Sequence, residues 1–277
     1  MSRKAEKKLM ATIDIGAHSA RMLIAEVNAA DRTFAELEEL EMPVPLGSNV
    51  FRTAMIADES IHILCGILRN FKQKMDEYGV RRCLAIATSA VREAGNAEIF
   101  LERVRHATGI DIRIFDGADE ARLDYIATVS DVPAKYGFNR KATLIADIGT
   151  GACQVSAYDC GQLRFTETLK VGTLRAIELM PGTFSSTAMV QFVSTLVDKS
   201  FSELEHISGR IKAETIIAMG SSVRTLLRLT GRRGTSAASL SRETFFQLRS
   251  DILNMSLEEV SETYRIPPDL AEIIAPC

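Results

Sequence analysis

Two short stretches, DIGAHSAR (Asp14–Arg21) and DIGTGACQ (Asp147–Gln154), put the same residue types at two distant places in one chain. In each, an apolar, strand-like run ends in aspartate, isoleucine and glycine. Glycine in such a turn lets the backbone approach a ligand and point its N–H groups inward, which is how phosphates are held without side chains. The aspartate before it cannot be buried as an unpaired charge, so it calls for a cation or for hydrogen-bond donors. A divalent ion shared with phosphate oxygens meets that demand, and Mg2+ characteristically takes one or two carboxylates plus phosphate. A single turn of this kind occurs in many hairpins; two at equivalent places argue for phosphate binding.

The elements that must position these turns repeat as well. Apolar runs at Ala11–Ile15, Ala20–Val27 and Thr33–Leu40 read as strands joined by polar or glycine-containing turns. A helical stripe over Asp58–Tyr78 places Ile61, Leu64, Cys65, Leu68, Phe71 and Met75 at spacings of three and four, with Gly79 as its stop. A short strand at Cys83–Thr88, a helix over Asn96–Ala107 closed by Gly109, a strand at Ile110–Ile114 and a helix opening near Asp116 complete the first half. The second half starts in the same way, with strands at Thr143–Asp147, Cys153–Tyr158 and Leu163–Leu169. A helix from Thr187 to Ile207, a strand at Thr215–Met219 and a helix from Ser222 to Leu229 follow. The order predicts an α/β fold made twice, a mixed sheet with helices on both faces, with domains at residues 1–128 and 129–277.

Composition bounds the rest. The chain has 277 residues, 46% hydrophobic and 25% charged, the profile of a globular protein. A net charge of −3 offers no global attraction to nucleic acid or to an anionic membrane, so any polyanion must be met by a local basic site. Five scattered cysteines without a CxxC pair argue against a disulfide framework or a zinc site. With no long apolar span and no signal-peptide core, the expectation is a cytoplasmic protein.

The residues between the turns sharpen the class. Ala87–Asn96 reads ATSAVREAGN, Asp116–Leu123 reads DGADEARL, Val171–Arg175 reads VGTLR, and Met219–Arg224 reads MGSSVR. With the two DIG stretches, these resemble, in order and spacing, the motif set of the exopolyphosphatase/guanosine pentaphosphate phosphatase (Ppx/GppA) family. The resemblance implies the duplicated βββαβα fold of the actin-like and sugar-kinase ATPases, with two domains flanking a cleft. It also implies a Mg2+-assisted hydrolase that removes terminal phosphate from inorganic polyphosphate or guanosine pentaphosphate, and a homodimer. Within it, Glu120 matches the catalytic glutamate, with Asp116 as cap of its helix. Asp147 and Gln154 stand at the other catalytic positions, and Asp14 and Asp147 are the metal-side carboxylates. Phosphate contacts fall to Gly16, His18, Ser19, Arg21, Arg92, Gly149, Thr150, Gly151, Gly220 and Ser221. Arg224, Arg228, Arg232 and Arg233 form a basic run that either faces solvent or guides a phosphate chain. After Ser250 the sequence shows helical segments but no clear final strand and helix of the second domain, so the expectation is a second domain cut short at AEIIAPC.

The sequence departs from the family pattern at the second turn, where GGGSTE becomes GTGACQ. Thr150 replaces a glycine, Ala152 and Cys153 replace two hydroxyls, and Gln154 replaces a glutamate; an amide cannot accept a proton as a base. The first turn carries Ala17-His18 for Ser-Asn, and the third Ser221-Ser222 for Gly-Thr. Two functions follow: a working hydrolase built on Glu120 and Asp147, or a non-catalytic binder of phosphate-rich nucleotides such as guanosine tetraphosphate. An ATP-using kinase of the same superfold is disfavoured by the TSAVREAGN and DEARL stretches.

Overall fold

Alternation along the first strands decides which face is buried. A computed structural model of the chain describes residues 7–31, 33–48, 50–133, 136–180, 186–208, 212–230 and 239–265. In β1 (Lys7–Ile15) the residues Ala11, Ile13 and Ile15 point into the core while Thr12 and Asp14 point out. In β2 (Ser19–Asn28), Ala20, Met22 and Ile24 do the same, the two-residue period of a half-buried strand. β3 (Thr33–Pro43) pairs antiparallel with β2 and forms the edge of the sheet. After a single helical turn, α1 (Val50–Thr53), the long α2 (Asp58–Tyr78) buries Ile61, Leu64, Leu68 and Phe71. It stops where sequence predicts, at a left-handed Gly79.

β4 (Cys83–Ala87) then returns parallel to β1, followed by the short α3 (Ser89–Arg92), α4 (Ala97–Thr108) and β5 (Ile112–Ile114). α4 brings Phe100 and Val104 against α2 and is closed by left-handed Gly109. The sheet order is β3-β2-β1-β4-β5. Each large apolar side chain sealed here, such as Phe71 or Phe100, contributes about 1.5–3 kcal/mol.

The second unit repeats this plan. Its sheet runs β8-β7-β6-β9, from β6 (Ala142–Ile148), β7 (Cys153–Asp159), β8 (Gln162–Leu169) and β9 (Thr215–Met219). One face is covered by α5 (Gly117–Asp131), where Tyr125 packs with Phe138, Ile145 and Tyr158. The other face buries Val155 and Leu169 against Leu204 of α7 (Ser186–Ser208). α6 (Thr173–Leu179), α8 (Ser221–Leu229), α9 (Arg242–Leu253) and α10 (Leu257–Tyr264) complete the described chain, and the last two pack Leu248, Ile252 and Val260 with Leu229. The compact units are Met1–Asp116 and Gly117–Cys277.

The duplication holds at the level of register. Asp14 lies opposite Arg21, which lies opposite Glu41; Asp147 lies opposite Gln154, which lies opposite Thr168. The parallel neighbours also correspond, Ile86 beside Asp14 and Met219 beside Asp147. Some features were not anticipated. β1 begins at Lys7, four residues before its apolar stretch, because the ladder to β2 continues to Asn28 whether or not the side chains are buried. The seven-residue α6 shows no periodicity long enough to announce it.

Candidate functional site

Each DIG stretch closes into the same turn. The Gly16 N–H donates to the Ser19 carbonyl at 2.9 Å, and the Gly149 N–H donates to the Ala152 carbonyl at 3.0 Å. The chain leaving the third strand of each sheet then pins the turn from outside. In the first unit, the Val44 N–H donates to the His18 carbonyl at 2.9 Å and the Gly47 N–H to the Ala17 carbonyl at 2.7 Å. In the second, the Thr150 carbonyl accepts from the N–H groups of Leu174 and Arg175 at 2.9 and 3.3 Å. The buried Arg175 adds its Nε–H to the Gly151 carbonyl at 2.6 Å. Carbonyls of both turns are thereby tied to the scaffold, which fixes the turn shape without using side chains of the turn itself.

Gly172 and Gly220 are required by this packing. A Cβ on Gly172 would collide with the Thr150 carbonyl oxygen and stand 2.6 Å from its carbon. Gly220 has φ of 104°, a left-handed conformation that disfavours side chains, and a Cβ there would stand 2.5 Å from Asp147 Oδ1. Gly220, just before α8, therefore lies directly against the half-buried Asp147 carboxylate.

In the first unit, Ser19 and Arg21 face the acids of β3. The Ser19 hydroxyl donates to Glu41 at 2.9 Å, and Arg21 reaches Glu41 and Glu39, each at 3.5 Å. Asp14 is exposed on this same face, next to Arg21 in register. Arg92, in the last turn of α3, donates from Nη1 to the Phe115 carbonyl at 2.6 Å, just before Asp116.

In the second unit, α5 carries Glu120 in its first turn, as the motif predicts, and lays its inner face on the Asp147–Gln154–Thr168 row. Gln154 is buried and held at both ends of its amide: Nε2 donates to the Thr166 hydroxyl at 2.5 Å, while Oε1 accepts from the Thr168 hydroxyl at 2.5 Å. The Ser156 hydroxyl bonds Thr166 at 2.8 Å and extends the row. Gly117, the first residue of α5, rests on this clasp, since a Cβ there would stand 2.5 Å from the Thr168 hydroxyl.

One residue of this site belongs to none of the motifs. Asp124, one turn beyond Glu120, is buried on the inner face of α5 with Ala121 and Thr128. Burial, reinforced by the negative charges of Asp147 and then Glu120, pushes its carboxyl up to about 7. Burial with Asp147 and Asp124 nearby also pushes the Cys153 thiol up to about 12, so Cys153 is an inert thiol at neutral pH. The signal for Asp124 was its i+4 spacing from Glu120. Gly172 and Arg175 lie within VGTLR, whose backbone role no spacing rule reveals.

Of the basic run, Arg224 is exposed on α8; Arg232 and Arg233 lie outside the described residues, as does the side chain of Arg228. No helix among the described residues is long and apolar enough to cross a membrane.

The model of the Ppx/GppA phosphatase family matches residues 23–276. Over 176 residues the chain is 29% identical to the bifunctional 3-dehydroquinate synthase/phosphatase of Fusobacterium nucleatum, a match covering 61% of this chain and 26% of that protein. It is 25% identical over 283 residues to exopolyphosphatase 1 of Mycobacterium tuberculosis, covering 96% of this chain and 78% of that one. Among solved structures, an exopolyphosphatase from Cytophaga hutchinsonii shares the fold with a TM-score of 0.81 at 21% identity, over 97% of this chain and 87% of the other. With the duplicated turns, the shared fold and a match over most of its length, the chain belongs to the Ppx/GppA phosphatase family.

Proposed function

We propose that the protein is a phosphohydrolase releasing terminal phosphate from inorganic polyphosphate or guanosine pentaphosphate, with Glu120 as the general base. Family membership and the exopolyphosphatase name of the Mycobacterium relative support the reaction class. The observation that supports Glu120 is its place in the first turn of α5, the helix that packs on β6 and β7, the strands carrying Asp147 and Gln154. Glu120 takes a proton from the water that attacks the terminal phosphorus, and the shortened phosphate chain leaves. General-base catalysis of this kind is worth about a hundredfold to ten-thousandfold in rate.

The turn of Gly149, Thr150 and Gly151, with Gly220 and Ser221, would receive phosphate oxygens in the second unit, the Gly149 N–H itself serving to close the turn. Gly16, His18, Ser19, Arg21 and Arg92 are the corresponding groups of the first. Asp147 suits Mg2+ by donor chemistry, a hard carboxylate oxygen set against the Gly220 backbone, with Asp14 its counterpart on the other sheet. The described residues contain no group of three His, Cys, Asp or Glu able to hold a metal by themselves. When bound, Mg2+ would neutralise charge on the phosphate oxygens.

One observation favours a second reading, a non-catalytic binder of guanosine tetraphosphate. Gln154 is clasped by Thr166 and Thr168 and, as an amide, cannot take a proton. Phosphate release from both substrates with Mg2+, compared between the protein and Glu120→Gln, separates the two. Loss of about a hundredfold or more in the variant is expected. An unchanged rate would remove Glu120 from the chemistry; no release from either protein, with tight guanosine tetraphosphate binding, would establish the binder.

A further inference from the structure

Asp124 follows the DEARL stretch and is unaccounted for by it. It is 9% exposed, and its Oδ2 has no hydrogen-bond partner. Leaving a buried acceptor unmet costs about 1–3 kcal/mol. Around it the inner face of α5 packs Tyr125 against Phe138 and Tyr158, a setting that would receive an apolar side chain without that cost.

Its position relative to Glu120 suggests what the oxygen is for. Residues four apart on a helix share one face, stacked one turn above the other. Glu120, once it has taken a proton from water, carries an O–H that needs an acceptor. The amide of Gln154, which lies against Gly117 at the start of α5, already bonds Thr166 and Thr168. Asp124 Oδ2 is buried, unsatisfied and one turn away.

We propose that Asp124 is a positioning residue for Glu120: its free Oδ2 accepts a hydrogen bond from the Glu120 carboxyl as that carboxyl becomes protonated, orienting it and stabilising its protonated form. No proton passes to Asp124; the water O–H bond breaks, the Glu120 O–H bond forms, and that O–H points to Asp124. The role rests on the hydrolase reading above. An asparagine side-chain oxygen can replace the acceptor, whereas leucine cannot.

The test compares Asp124→Leu and Asp124→Asn with the unaltered protein and Glu120→Gln, in phosphate release and in urea unfolding. The expected result is a kcat lowered about tenfold or more in Asp124→Leu, the loss of one transition-state hydrogen bond, with KM unchanged. Asp124→Asn retains most of the rate, and Asp124→Leu is at least as stable as the parent because an unmet buried oxygen has gone. A full rate in Asp124→Leu overturns the role and leaves the proposed function standing, provided Glu120→Gln is inactive. Equal losses in the Asn and Leu variants, or a loss of both rate and stability in Asp124→Leu, overturn it in favour of a packing role. No release from the unaltered protein overturns the hydrolase reading and this role together.

Discussion

A carboxyl buried beside other carboxylates keeps its proton to a higher pH than the unfolded chain does. For Asp124, held up to about 7 by burial and then by Asp147 and Glu120, this makes folding pH-dependent. Between about pH 4 and about pH 7 the unfolded chain has lost this proton while the folded protein keeps it. Each rise in pH therefore favours unfolding, by up to about 1.4 kcal/mol per pH unit, and the effect levels off above about 7. In metal-free protein, urea unfolding across that window should show a downward slope steeper than in Asp124→Asn. Identical slopes would show that Asp124 titrates as it does in the unfolded chain. The same scale separates Gln154 from the glutamate it replaces: its amide makes the row through Thr166, Thr168 and Ser156 a structural seam joining β7 to β8.

Turns and short helices act together as elements. The Thr150–Gly151 turn is held by the N-terminus of α6 and by Arg175, and the close approach depends on Gly172 having no side chain. Gly172→Ala should force the turn or the helix to shift, at about 1–3 kcal/mol, and be read as a lowered urea midpoint together with weaker phosphate release. Full stability in that variant would mean that the turn yields easily. Elements with long patterns were legible from sequence: the stripe of α2, the alternation of β1 and β2, and the glycine stops at Gly79 and Gly109 all stand where their periods put them. The pinning of both DIG turns was not legible, because it runs through backbone N–H and C=O groups that every residue owns. Nor was the pairing of Ser19 and Arg21 with Glu41, which depends on the register of β3 against β2.

For the molecule as a whole, duplication does not make the halves equally firm. The first sheet buries Ile13, Met22 and Ile24 completely against a core that also holds Leu64, Leu68 and Phe71. The closing helices α9 and α10 are held through a small cluster of Leu229, Leu248, Ile252 and Val260. Opening free energy follows such local burial. Amide hydrogen exchange should therefore protect β1, β2 and β4 for longer than α9 and α10; equal lifetimes would mean that the chain opens as one unit. A last consequence concerns the rim of the first sheet. β3 offers an open row of backbone groups and shows Phe34, Leu37 and Met42 to solvent, a ready template for a strand from another molecule. Its Glu36, Glu38, Glu39 and Glu41 would crowd like charges together when two such rims met. The acids that engage Ser19 and Arg21 would thus also oppose the stacking of one such rim on another.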